Sequence, residues 1–327
     1  MLSKRFWQPG TAALFAMVVA GCGVADYGDA VEAYDRDYAD QHRYTAHSVP
    51  RGELKLYARA FGSSEKNGKP PFILLHGFPD NLHLYDRLSP LLGADRQTIA
   101  FDFLGWGRSD KPDGHRYDAA SLRTDLEAVI DYFKLDRVIL VAHDASGFPV
   151  IDWTLDNPER TAGLVLLNTV YSPSEAVKAP DAIERFSSTG IKRDIAVFVA
   201  SLFDGIWQSG HTEQLGKFYC DADVKDQHLK ILSYYSFAMR PAFFGLNEVL
   251  REEIASRAKN LPRMKRFAPP VLVLFGAEDQ DLNSGVAREF HDIFPNSTLH
   301  LLEGACHYVQ LDAPAAVAKL ILTAKMR

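Results

Sequence analysis

Residues 137–150, RVILVAHDASGFPV, constrain this chain more than any other stretch. An apolar run over 138–141 leads through Ala142 and His143 to Asp144. Then Ala145, Ser146 and Gly147 precede a new apolar pattern with helical spacing. The order reads as strand, sharp turn, helix. A turn that tight needs small residues two places before and two places after the reactive residue, because the backbones around it come too close for larger side chains. Centring on Asp144 puts Ala142 and Ser146 at those places, with Gly147 next. Centring on Ser146 puts Asp144 and Phe148 there, which fits badly. Asp144 is therefore the candidate nucleophile. A carboxylate that merely caps a helix is the plainer alternative, and the two roles are compatible because backbone N–H groups at a helix start keep a carboxylate ionised and oriented.

From about Leu54 onward, strand-like apolar runs alternate with amphipathic stretches, the pattern of a mostly parallel sheet covered by helices on both faces. Strands are expected at 53–61, 72–75, 98–103, 138–142, 163–167, 271–275 and 298–302. Helices are expected at 82–92, 119–133, 148–155, 286–293 and 314–324. Residues 170–268 hold no strand of this kind but show helical patterns at 194–203, 212–218, 225–237 and 246–258. A structureless loop of that length is implausible, so the segment reads as an inserted helical cap on a core formed by 51–169 and 269–327. Ligands of open parallel sheets bind at the carboxyl ends of the strands. Those ends carry His76, Asp102, Asp144, Asn168, Asp279 and His307.

The first residues read differently. Lys4 and Arg5 precede a short apolar run over 11–20, and then comes Val19-Ala20-Gly21-Cys22. This resembles a bacterial lipobox, which implies a signal peptide over 1–21, lipidation of Cys22, and attachment to a membrane of the cell envelope on its non-cytoplasmic side. An ordinary secretory signal is the alternative, and it too exports the chain. Residues 22–50, rich in Asp, Ala and Tyr, read as a tether. Cys220 and Cys306 are too few for a disulfide framework in a chain of 327 residues and are expected as free, mostly buried thiols. A net charge of −6 without a basic stripe argues against nucleic acid as a partner.

The segments LLHGFPDN (74–81), FDFLGWGRSDKP (101–112), VAHDASG (141–147), VLVLFGAED (271–279) and EGACHYVQLDAP (303–314), in this order and spacing, resemble the aspartate-nucleophile branch of the α/β-hydrolases. That branch contains epoxide hydrolases and haloalkane dehalogenases. The resemblance implies a catalytic triad of Asp144 as nucleophile, His307 as the base that activates water, and Asp279 as the acid that orients it. Neighbouring Glu278 and Asp281 are alternatives for the acid, whereas Asn168 stands where some relatives place it and cannot ionise. The resemblance also implies an oxyanion hole from the backbone N–H groups of Phe78 and Ala145, a cis bond at Phe78-Pro79, and no metal or organic cofactor.

A carboxylate nucleophile restricts the chemistry. Attack on an ester carbonyl would give a reactive anhydride, whereas attack on a saturated carbon bearing a leaving group gives an ordinary ester that water can hydrolyse. The partners are then a small apolar substrate and water. An epoxide needs an acid for its alkoxide, supplied in epoxide hydrolases by cap tyrosines, for which Tyr234, Tyr235 and Tyr219 are candidates. A halide needs N–H donors. The side-chain donors that dehalogenases carry after the nucleophile and after the HG pair are replaced here by Ala145 and Phe78, leaving Trp207 in the cap. Epoxide hydrolase-like activity is accordingly the leading expectation, with haloalkane dehalogenase-like activity next. A non-catalytic homologue that only binds a ligand, and a serine hydrolase using Ser146, are readings of other kinds.

Overall fold

The computed structural model describes residues 24–63 and 68–326. Cys22 and the signal segment lie outside them. Eight strands form one sheet: β1 (Tyr44–Arg51), β2 (Leu54–Phe61), β3 (Phe72–Leu75), β4 (Thr98–Phe101), β5 (Val138–Asp144), β6 (Thr161–Thr169), β7 (Val271–Gly276) and β8 (Ser297–Leu302). Their spatial order is β1-β2-β4-β3-β5-β6-β7-β8. The first two pairings, β1 with β2 and β2 with β4, are antiparallel, and the rest are parallel. The central strands β3, β5, β6 and β7 are buried on both faces, which is why they read as unbroken apolar runs. The chain reverses its direction of travel across the sheet between β3 and β5. The crevice at their carboxyl ends is therefore the natural ligand site.

The helices are α1 (Gly28–Gln41), α2 (Ser89–Gly93), α3 (Ala119–Tyr132), α4 (Gly147–Asp156), α5 (Asp181–Ser187), α6 (Ile191–Leu202), α7 (Asp204–Leu215), α8 (Ala222–Ser236), α9 (Arg240–Ser256), α10 (Leu261–Met264), α11 (Ser284–Ile293), α12 (Val309–Asp312) and α13 (Pro314–Thr323). Of these, α5 to α10 form the inserted cap. Aliphatic residues from opposite faces of the sheet build two cores, one under α3, α4 and α11, the other under α2, α12 and α13.

Two expectations are corrected. The tether expected over 22–50 is not what its described residues form, because α1 and β1 occupy most of 24–50. Positions 31, 34, 35 and 38 of α1 share one helical face, and their side chains have partners. Val31 packs with Ile231 and Tyr235 of the cap. The Tyr34 hydroxyl donates to Asp86 Oδ2 at 2.8 Å, and the Tyr38 hydroxyl to the Asp86 carbonyl at 2.9 Å. Asp35 pairs with Arg59 at 2.8 Å and with Arg108. Tyrosine and aspartate there satisfy a buried arginine rather than solvate a linker. In β1, an edge strand interrupted by Pro50, the weak apolar alternation hid the strand.

The cysteines are not free thiols. Cys220, in the connector from α7 to α8, forms a disulfide with Cys306, 86 residues away. Their pairing follows from the cap folding back onto the loop before His307, a juxtaposition that spacing alone does not reveal.

Arg59 is fully buried between Asp35 and Asp86, the latter at 3.0 Å. Removing one partner of a buried pair leaves a desolvated charge, at a cost of about 3–5 kcal/mol. Asp86→Ala is therefore expected to lower unfolding stability by about that amount. Denaturant titration with an unchanged slope measures it, and a loss under about 1 kcal/mol would show that water takes over the pairing.

Candidate active site

Asp144 ends β5 with φ at +50°, a left-handed conformation that costs an ordinary residue energy and is tolerated where the surroundings enforce it. The enforcement comes from small neighbours. A Cβ on Gly77 would come within 2.5 Å of Asp144 Cβ, and one on Gly147 within 2.3 Å of Thr169 Oγ1. The Thr169 hydroxyl in turn donates to the Asp144 carbonyl at 2.5 Å. So held, the carboxylate projects into the crevice. The Phe78 N–H donates to its Oδ1 at 2.9 Å, and the Ala145 N–H also bonds the carboxylate. The loop before Phe78 is shaped by the cis bond at Phe78-Pro79.

On the other side of the crevice, His307 Nε2 lies 4.0 Å from Asp144 Oδ2, and its Nδ1 donates to Asp279 Oδ2 at 2.8 Å. Asp279 is fixed by three further donors: Asn168 Nδ2 at 2.8 Å, the Asp281 N–H at 2.9 Å and the Leu282 N–H at 3.2 Å. The candidate nucleophile Asp144, the candidate base His307 and the candidate acid Asp279 thus stand in line. Asn168 cannot ionise and instead orients Asp279. Ser146 faces away: its Oγ is buried and bonded to the His143 N–H at 2.8 Å and to the carbonyls of Leu75 and His143. His76 is structural, its Nε2 accepting from the Phe103 N–H at 3.2 Å. Asp102 likewise binds the backbone N–H groups of Leu82 and Arg108.

The family model of the alpha/beta hydrolase fold matches residues 70–314, well over half of the chain and all of the site described. The chain belongs to this family. Among curated proteins it is similar to a haloalkane dehalogenase of Sphingobium indicum, at 26% identity over 291 residues, covering 83% of this chain and 95% of that one. Among solved structures it superposes on a haloalkane dehalogenase loop variant from Bradyrhizobium elkanii with a TM-score of 0.70, covering 85% of this chain and 95% of that one at 18% identity. It also superposes on an epoxide hydrolase with a TM-score of 0.64, covering 86% and 98% at 18% identity. At those identities the structural likenesses speak for the fold alone.

In this α/β-hydrolase, Asp144 and His307 open onto a cavity of about 420 Å³ between core and cap. Its walls are mostly apolar, with Val170, Ile183, Phe186, Val199, Phe243 and Leu282 among them. The ring of Phe218, from the cap, lies 4.8 Å from that of His307.

Of the cap residues singled out from sequence, only Trp207 lines the cavity, and its Nε1 already donates to the Ser236 carbonyl at 3.2 Å. The three tyrosines lie elsewhere. The Tyr219 hydroxyl bonds His228 Nδ1 at 2.6 Å, the Tyr235 hydroxyl accepts from Arg108 Nε at 3.1 Å, and Tyr234 points to solvent with 44% of its surface exposed. On adjacent helical positions only one of the pair 234 and 235 could face inward, and Arg108 with α1 claims that one.

His211 was missed. It follows Trp207 by one helical turn, so the 3.6-residue repeat places both on one face of α7. It lines the cavity, and both its ring nitrogens are buried without a hydrogen-bond partner. Burial drives its imidazole down to about 3, so it is neutral and carries one N–H and one bare nitrogen. Asp80, behind the oxyanion loop, was also missed. Burial pushes its carboxyl up to about 8 against the Asn81 N–H and Tyr308, which keeps a second charge out of the site at neutral pH.

Burial raises Asp144 above the ordinary carboxylate range, against the opposing pull of His307 and of the N–H groups of Ala145 and Phe78. For His307, burial disfavours the imidazolium, but Asp279, then Asp144 and Asp281, outweigh it and push the ring up to about 9. Removing the charge on Asp144 removes one of the supports of the imidazolium. In Asp144→Asn, His307 is therefore expected to lose its proton at lower pH than in the wild type. NMR titration of the ring measures this, and an unchanged or higher midpoint would show that Asp144 does not act on it.

Proposed function

We propose that the protein hydrolyses a bond between a saturated carbon and its leaving group through an aspartyl-ester intermediate, on small apolar substrates of the haloalkane type. The observation that supports it most is the asymmetry of Asp144. Oδ1 accepts from the Phe78 N–H, while Oδ2 lies 4.0 Å from His307 Nε2 in a residue that lines the apolar cavity. In the first step an Asp144 oxygen attacks the carbon, the carbon–halogen bond breaks, and the halide departs with the bonding electrons. The new ester is neutral, so the imidazolium of His307 loses a carboxylate that sustained it and gives up its proton to solvent. In the second step neutral His307 takes a proton from water, and the hydroxide adds to Cγ of Asp144. The oxyanion so formed is held by the N–H groups of Phe78 and Ala145. Its collapse breaks the bond to the alkoxide, which leaves as the alcohol with the proton from His307, and the carboxyl so formed passes its own proton to His307, returning Asp144 as a carboxylate beside the imidazolium. The balance is alkyl halide and water to alcohol, halide and a proton.

Epoxide opening, favoured by the sequence, loses its main support because no tyrosine lines the cavity among the described residues. A departing halide, a weaker base than an alkoxide, asks less of its surroundings. The neutral imidazole of His211 borders the same cavity with both ring nitrogens buried and without a partner, and a turn of the ring would present an N–H to the leaving group. The similarity to curated haloalkane dehalogenases points the same way. Epoxide hydrolysis remains the second reading, with His211 as the donor to the ring oxygen.

His307→Gln is expected to stop at the ester. Incubated with bromo- and chloroalkanes and with terminal epoxides, it should gain by intact mass an alkyl group, the halogen having left. A gain of the whole epoxide would shift the assignment to the second reading. No adduct with either class, from a protein that remains folded, would remove the covalent mechanism.

His211→Leu keeps the cavity apolar and deletes its free N–H. It is expected to slow the first step about tenfold, and more for chloride than for bromide because the poorer leaving group develops more localised charge. Stopped-flow halide release reads the step, and equal rates for both halides relative to wild type would assign His211 to packing alone.

A further inference from the structure

The outer face of α6 carries Ile191, Ile195, Phe198 and Leu202 at spacings that place them in one stripe, and they are 74%, 56%, 63% and 58% exposed. Burying such side chains against the protein was open to this helix and was not taken. Its inner face does other work: Ala196, Val199 and Ala200 line the catalytic cavity. The helix is also fastened at both ends. Arg193 donates to the Phe186 carbonyl at 3.0 Å and to Glu248 at 3.1 Å, and Arg240 holds the carbonyls of Ala200 and Ser201 and the carboxylate of Asp204. The stripe is thus presented to the outside by a helix locked in place.

Where the chain enters the structure matters as much. The backbone of Ala25 is clamped to the cap, its N–H donating to Gln208 Oε1 and its carbonyl accepting from Gln208 Nε2, both at 2.8 Å. Gln208 lies on α7, which packs against α6. Exposed Val24 precedes it, and exposed Tyr234 lies beside Gly28 on the same side of the cap. Cys22 is three residues before Ala25, so it is confined to within about 11 Å of that clamp by chain length alone. An anchor at Cys22 would hold the cap, rather than the sheet, against whatever the anchor enters.

We infer that the cap of this protein is a membrane-facing surface: the α6 stripe sits in the interfacial layer of a lipid bilayer, and apolar substrate reaches the cavity from that layer. The inference goes beyond the proposed reaction and does not depend on the leaving group. It rests on the reading of Cys22 as lipid-bearing only for what holds the chain at the membrane. No helix among the described residues is long and apolar enough to cross a membrane, which is consistent with a helix lying in the interface plane rather than spanning it.

The test uses the full chain reconstituted into vesicles of phosphatidylethanolamine and phosphatidylglycerol, with intact mass recording whether Cys22 carries lipid. Phe198→Cys and, as control, Tyr132→Cys are each labelled with an environment-sensitive fluorophore. Tyr132 ends α3 at the amino-terminal edge of the sheet, away from the cap, and is 42% exposed. Acyl chains brominated near the headgroup are expected to quench the label at 198 about twofold or more while leaving that at 132 unchanged. Quenching at 198 without lipid on Cys22 supports the stripe and removes only the anchor. Lipid on Cys22 with equal fluorescence at both positions overturns the orientation. An unquenched label at 198, combined with dissociation of a dimer by Phe198→Glu in sedimentation velocity, overturns the inference in favour of contact between copies of the chain.

Discussion

A carboxylate that is buried, oriented and still ionised is the constraint on which the rest of this structure depends. Desolvation alone would protonate Asp144 and abolish it as a nucleophile. Two backbone N–H groups and the His307 imidazolium oppose that. The imidazolium would itself be lost to burial without Asp279, whose charge is kept first by His307 in return and then by the Asp281 N–H and Asn168. Each charge is stabilised by the next, outward from the cavity to the ends of β6 and β7. Asp80 completes the balance by staying protonated near neutral pH. On the proposed reaction one histidine can be cationic at rest and basic later, since alkylation of Asp144 would cancel one of the charges that, with Asp279 first, sustain its proton.

That line of charges must remain dry, which makes attachment of the cap part of the chemistry. The Cys220–Cys306 disulfide joins the cap to the residue preceding His307. Asp312 reinforces the junction, accepting from the N–H groups of Cys306, Cys220 and Asp221. At the far end of the cap, Arg257 pairs with Asp152 of α4 at 2.6 Å. The helix α1 bridges a third side, a single face of it meeting both α8 and the Arg59–Asp86 pair. Cap and core are therefore joined at several sides around the cavity, so the base and the apolar wall above it keep a fixed relation.

Most of the core was legible because its rules are local. The runs at 72–75 and 271–275 are strands buried on both faces, and apolar continuity is sufficient to find them. The register around Asp144 was decided by side-chain size alone, and the geometry of Gly77 and Gly147 shows why size was the relevant variable. The failures share a different cause. The face of α1 formed by 31, 34, 35 and 38 has helical periodicity, but its tyrosines and aspartate look hydrophilic until the buried Arg59 is known. Cys220 and Cys306 meet only because the cap folds over. The cap tyrosines were assigned by chemical type, and type does not say which side of a helix faces the cavity. His211 was open to the same local reasoning that found Trp207, one turn away, yet a histidine in a helical pattern carries no signal of its own until its neighbours are seen to be apolar.

The resemblance implies a side-chain donor directly after Asp144, and in this chain that position is Ala145. A large ring beside the nucleophile would fill the floor of the cavity and supply an N–H there. With alanine, the floor is open and keeps only its backbone donor, so a substrate can sit lower and its leaving group must point elsewhere. The apolar floor and the engaged N–H groups turn the proposed leaving group toward the cap, where among the described cavity residues His211 is a buried group whose ring nitrogens have no partner. Its neutrality is what suits it to the place. A cation so deep would compete with His307 for Asp144 and weaken the nucleophile, whereas a neutral imidazole can polarise the departing group without disturbing the charges below it. Moving leaving-group stabilisation from the rigid elbow to the cap also couples chemistry to the element that carries the outward apolar stripe. On this proposal the helix that carries the stripe and the helix that would assist bond breaking, α6 and α7, belong to one packed unit.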